Sequence, residues 1–142
     1  MHPTLAAKKK QIVFKPAVTV FYCANSTNPD QENNLENFVQ ADIDLVSMAC
    51  SSMIKDIFIL KAFEAGADAV VVITCPVGQC QFIDGNLRAL KRINRVKTML
   101  DDAGIGGHRL DLIRIEPSGT GTISRVEQFV SSIEKLGPSP AR

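Results

Sequence analysis

The stretch "DAVVVITCPVGQCQFIDGN", Asp68 to Asn86, is an apolar run ending in a cysteine; five residues on comes a second cysteine, then a glycine that opens a helical pattern. Ala69 to Ile73 is apolar at every position instead of at every other one. A strand with one wet face alternates, so a continuous β-branched run fits a parallel strand covered by helices on both faces. The segments on either side must then supply those helices and the partner strands.

Upstream, "AVTVFYC" (Ala17–Cys23) reads as a strand from its β-branched and aromatic content, and "DIDLVSMAC" (Asp42–Cys50) as another. Between them, "NPDQENNLENFVQ" is polar, with Leu35, Phe38 and Val39 giving one short apolar helical face. "KDIFILKAFEAG" (Lys55–Gly66) has Ile57, Phe58 and Ala62 on one side, with Ile54 just before it and Gly66 as its stop. Downstream, Leu90, Ile93, Leu100 and Ala103 lie at helical spacing between Gly85 and Gly104. "RLDLIRIE" (Arg109–Glu116) is a fourth strand whose Asp111 and Arg114 suit an edge. Ile123, Val126, Val130 and Ile133 mark a last helix, ended by Gly137 and Pro138. The order βαβαβαβα predicts a three-layer α/β/α domain with a mainly parallel four-stranded sheet of flavodoxin-like order 2-1-3-4. One domain is expected over residues 10–137, with loose tails at 1–9 and 138–142.

Composition narrows the function. The 142 residues fit one domain with a real core, and 45% hydrophobic residues exclude a disordered chain. The Ala69–Ile73 run is far too short to cross a bilayer, so direct membrane insertion is not expected. "MHPTLAAKKKQIVFKP" starts like a signal peptide, but its apolar stretch is three residues long and is cut by Lys15 and Pro16; the expected location is the cytoplasm. A net charge of +1 gives no bulk attraction to nucleic acid. Four cysteines in a cytosolic chain point to metal or redox chemistry before structural disulfides.

The cysteines share a location. Cys23, Cys50 and Cys75 each end a predicted strand, and Cys80 lies in the loop leaving the third. In a parallel sheet all C-terminal strand ends face one edge, with neighbouring strands about 4.8 Å apart. That edge is also where open α/β sheets bind ligands. One strand-end cysteine is usually a small buried hydrophobe, but four at one edge favour a shared site. An iron–sulfur cluster takes four such ligands. Structural zinc fits less well, because all-cysteine zinc sites usually show two short C-x2–4-C knuckles, whereas Cys23 and Cys50 stand alone. A dithiol pair, Cys75 with Cys80, has C-x4-C spacing instead of the C-x-x-C of thioredoxins. A helix starting near Asp84–Gly85 would turn its N-terminal amides towards an anionic cluster. Gly78 could let the loop amides bend towards sulfur, or be an ordinary turn glycine.

These residues carry a resemblance. "ILKAFEAGADAVVVITCPVGQCQFIDGNLRALKRINRVKTMLDDAGI" resembles the delta (iron–sulfur) subunit of methyl-viologen-reducing hydrogenase, with its G-A-D segment, G-C-H-x-G-D-C-H-Y motif, G-N pair and basic helix. The likeness runs from Ala17 to Gly137. It implies one [2Fe–2S] cluster, here on Cys23, Cys50, Cys75 and Cys80. It also implies electron relay in a hetero-oligomeric complex, between a hydrogenase or formate dehydrogenase and a heterodisulfide-reductase-A-type flavoprotein. Similar modules accompany quinone-interacting oxidoreductases, methylene-tetrahydrofolate reductase complexes and class II benzoyl-CoA reductases. The chain departs from the family at several points. Ser26 stands where the opening C-x-x-C has its second cysteine. Pro76 and Gln81 replace two histidines, Gln79 an acidic residue and Phe82 a tyrosine, and Ser51, Ser52 and Met53 follow Cys50 in place of S-G-R.

The other polar features are weaker. His108 falls at the opposite end of the sheet and reads as a loop residue, His2 as tail. Arg88, Arg92 and Arg95, with Lys91, share one helix face, read first as solvated and second as a docking patch for an acidic partner. "SGTGT" (Ser118–Thr122) lacks the P-loop lysine, so Thr120 or Thr122 is expected to cap the last helix. "NSTN" (Asn25–Asn28) is only faintly like a flavodoxin phosphate loop. No acid–base constellation or nucleophile–base pair is evident, so the expected role is a non-catalytic relay. A zinc-binding or cluster-free adaptor and a thiol-redox protein using Cys75 and Cys80 are the alternatives.

Overall fold

The structure is a computed structural model that describes residues 14–23, 41–48, 54–74, 85–114 and 122–140. Strands β1 (Ala17–Cys23) and β2 (Asp42–Met48) are followed by helix α1 (Asp56–Glu64), β3 (Ala69–Thr74) and helix α2 (Gly85–Asp102). A single 3-10 turn (Gly107–Arg109), β4 (Leu110–Arg114) and helix α3 (Thr122–Leu136) complete the chain. The four strands form one sheet of order β2-β1-β3-β4, parallel throughout. This is the topology that the alternation of segments predicts. The helical face expected within "NPDQENNLENFVQ" lies outside the described residues.

β3 explains the arrangement. All six of its residues are buried, because one side packs under α3 and the other under α1 and α2. Ala69, Val71 and Ile73 join Val18, Val20 and Tyr22 of β1 against Val126, Phe129, Val130 and Ile133 of α3. Val70 and Val72 join Phe21 against Ile59 and Phe63 of α1 and Ala89, Ile93, Val96 and Leu100 of α2. Each fully buried valine contributes about 1.5–3 kcal/mol relative to exposure, so β3 anchors both layers.

Two helical faces differ from the sequence expectation. Ile57 and Phe58 stay about half exposed, at 49% and 46%, while Ile59 and Phe63 turn inward beside Ile54. Apolar residues ring this short helix, so periodicity does not single out its core side; the sheet selects the 59/63 pair, one turn apart. In α2, Ala89 and Val96 are buried beside Ile93 and Leu100, whereas Leu90 is half-buried and Ala103, just past the helix end, is exposed. Gly66, at φ +112°, ends α1 as expected and turns the chain back into β3.

The N-terminal edge of the sheet is closed by a buried polar clasp. The Asp68 carboxylate accepts from the amides of Ala17 and Ser139, both at 2.9 Å. The buried Arg109 guanidinium donates to the carbonyls of Ile105, Asp68, Gly137 and Pro138 at 2.9–3.2 Å. Ser139, assigned to the tail by sequence, is only 4% exposed and belongs to this clasp.

Candidate functional site

The parallel register fixes what can meet at the opposite, C-terminal edge. Tyr22 is level with Ile73, Cys23 with Met48, and Thr74 with Arg114. Cys23 therefore closes the central strand with a closing residue on each side, Met48 of β2 and Thr74 of β3. Cys50 follows Met48 by two residues and Cys75 follows Thr74 by one. Of the four predicted ligands the structure describes Cys23; Cys50, Cys75, Cys80, the CPVGQC loop and Ser26 lie outside the described residues.

Cys23 is buried, at 2% exposure. Side chains alternate along a strand, so Cys23 falls on the same side as Phe21, which packs towards α1 and α2. By the same alternation, Thr74 follows Val70 and Val72 onto that side. Cys23 and Thr74 are thus neighbours on adjacent strands, facing the helix layer. Thr74 is fully buried, and its Oγ1 has no hydrogen-bond partner among the described residues. The sequence reading missed it, since a threonine ending a valine-rich strand looks like ordinary β-propensity.

α2 returns from this edge to the other. Its C-terminal turn is held at the N-terminal edge, where the Ile105 and Gly106 amides donate to the Leu100 carbonyl and the Gly107 amide to Asp101. Its N-terminus at Gly85 therefore lies at the cysteine edge, where helix amides favour an anion. The arginine face is partly committed within the domain. Arg92 Nη1 donates to the Ile54 carbonyl at 2.8 Å, and Arg95 forms a two-pronged pair with Asp56 at 2.9 Å. That hydrogen bond and the Asp56 charge raise the Arg95 pKa above its ordinary value. Both arginines tie α2 to the start of α1, and Arg88, Lys91 and Arg95 are exposed.

His108 is exposed in the 3-10 turn at the N-terminal edge, remote from Cys23 as expected. A cavity of about 470 Å3 lies between β1, β2 and α1, lined by residues such as Val18, Ile43, Val46, Phe58 and Ala62. Cys23 is not in its lining, which is largely apolar. Among the described residues no helix is long and apolar enough to cross a membrane.

The three-layer parallel α/β arrangement puts the domain in the class of open α/β folds, which bind their ligands beyond the carboxyl ends of the strands. Within that class the chain belongs to the family of the methyl-viologen-reducing hydrogenase delta subunit, whose model matches residues 18–137. It is 35% identical over 103 residues to the vhu iron-sulfur subunit of the F420-non-reducing hydrogenase of Methanocaldococcus jannaschii, covering 72% of this chain and 77% of that one. The iron-sulfur subunit of the F420-non-reducing hydrogenase of Archaeoglobus profundus is 32% identical over 110 residues, 77% of this chain and 80% of the relative. One large subunit of the ferredoxin:CoB-CoM heterodisulfide reductase of Methanosarcina mazei is 32% identical over 98 residues, which are 68% of this chain but 12% of that protein.

Proposed function

We propose that the chain is a non-catalytic electron-transfer subunit carrying one [2Fe–2S] cluster on Cys23, Cys50, Cys75 and Cys80. It would work in the cytoplasm, within a hetero-oligomeric oxidoreductase complex that includes a heterodisulfide-reductase-A-type flavoprotein. The observation that carries this reading is the buried Cys23 at the end of the central strand, with β2 and β3 running parallel to it and leading within two residues into Cys50 and Cys75. The donor set suits the group, since four thiolates are the usual ligands of such a cluster. An unpaired buried hydroxyl beside Cys23 and a helix N-terminus at the same edge suit added negative charge. When bound, the cluster supplies one-electron oxidation and reduction. The chain's part is to hold the sulfur ligands, exclude water beneath them with the β3 valines, and present the edge to partners. The names of the hydrogenase and heterodisulfide reductase relatives support this role.

The test is anaerobic purification with metal and sulfide analysis. About two irons and two sulfides per chain are expected. Changing any of the four cysteines to alanine should remove the cluster, while Ser26→Ala should leave iron content and the visible spectrum unchanged. Stoichiometric zinc without sulfide would move the assignment to an adaptor. A metal-free protein in which Cys75 and Cys80 cycle between dithiol and disulfide would move it to thiol redox chemistry.

A further inference from the structure

Thr74 is the one buried side-chain polar atom left without a hydrogen-bond partner among the described residues. A buried, unsatisfied hydroxyl carries its full desolvation penalty, and valine would fill the same space at no such cost. Every other residue of β3 is alanine, valine or isoleucine. A hydroxyl at this position therefore needs an acceptor that the protein chain, as described, does not supply.

We propose that the Thr74 hydroxyl donates a hydrogen bond to a sulfur of the bound cluster on the Cys23 side, and so raises its reduction potential; this rests on the cluster reading above. Three observations converge. Thr74 and Cys23 end adjacent parallel strands, one step beyond the level pair Tyr22 and Ile73. By strand alternation both follow Phe21, Val70 and Val72 onto the face that packs towards α1 and α2. Strand spacing of about 4.8 Å puts their side chains within reach of a common ligand. A threonine hydroxyl rotates freely to suit its acceptor, and a charged acceptor strengthens the bond. Reduction adds negative charge to the sulfurs, so a donor stabilises the reduced state more than the oxidised one.

The experiment uses the full chain, purified anaerobically, and a potentiometric titration followed by electron paramagnetic resonance. Thr74→Val should keep wild-type iron and sulfide but make one-electron reduction about tenfold less favourable, a midpoint lower by about 59 mV. Thr74→Ser, which keeps the hydroxyl, should stay near the wild-type midpoint. The metal-free Thr74→Val protein should melt no earlier than wild type, an outcome that a merely structural threonine would not give. Iron loss from the valine variant with retention in the serine variant would also support the assignment. A valine variant with wild-type iron, sulfide and potential would overturn it, as would loss of the cluster from both variants or a serine midpoint as low as that of valine. A wild-type chain without iron and sulfide would overturn the cluster reading, and this assignment with it.

Discussion

The two ends of the sheet handle buried polarity in opposite ways. At the N-terminal edge, the Asp68 carboxylate accepts from two backbone amides and Arg109 reaches four carbonyls, so charge is buried together with its partners. At the C-terminal edge, Cys23 and Thr74 are equally buried, yet the Thr74 hydroxyl has no acceptor among the described residues. The first arrangement holds the domain closed by itself; the second is, on the proposal above, completed by the bound cluster. A buried polar group with every partner present is a fastening, whereas one lacking a partner calls for a physical explanation.

The contrast can be broken most forcefully at Arg109. Arg109→Met keeps the apolar stem but strands carbonyls from three separated parts of the chain. It should cost about 3 kcal/mol, read as a lower urea midpoint, while iron and sulfide per folded chain stay at the wild-type level. Iron loss in proportion to lost stability would show that the two ends are coupled. Next comes Gly107→Ala, since a Cβ there would stand 2.8 Å from the Lys97 carbonyl oxygen. About 1–3 kcal/mol of destabilisation is expected from that overpacking, again with no change in cluster content.

Thr74→Val in the metal-free protein should reverse the sign: no loss, or a gain of about 1 kcal/mol, in the same urea titration. Combined with Arg109→Met, its effect should add within about 0.5 kcal/mol, because sites at opposite ends of the strands share no partner. The smallest effect is expected at Arg95→Gln. Its pair with Asp56 is at the surface, so the midpoint should not move measurably, and less still at high salt. Because the raised pKa of Arg95 lies far above neutrality, the pair's contribution is present throughout the neutral range and no pH dependence should arise there.

Much of this architecture is written in local sequence, and the exceptions have a common cause. β3 is legible because five consecutive apolar residues have one sensible environment, and the strand order is the flavodoxin-like one expected from the βα alternation. The inward face of α1 is not legible, because Ile57, Phe58, Ile59 and Phe63 offer more than one apolar stripe and only the sheet chooses between them. Arg92 and Arg95 look like free surface charge until α1 lies alongside α2. Arg109 gives no signal either, since its acceptors are main-chain carbonyls that could belong to any residue. At the candidate site, the strand-end position of Cys23 is predicted correctly from β-propensity. Thr74 escapes notice because being without a partner is a property of its surroundings and not of its residue type.

The Asp68 carboxylate has one more consequence. Its two oxygens hold the amides of Ala17 and Ser139, so the points where the backbone enters and leaves the domain meet on a single side chain, at the end remote from Cys23. Entry and exit that close together are the geometry that tolerates insertion into a longer polypeptide, here at the end away from the cysteine edge. The match to a stretch that is 12% of a much larger heterodisulfide reductase polypeptide is what such portability would leave behind.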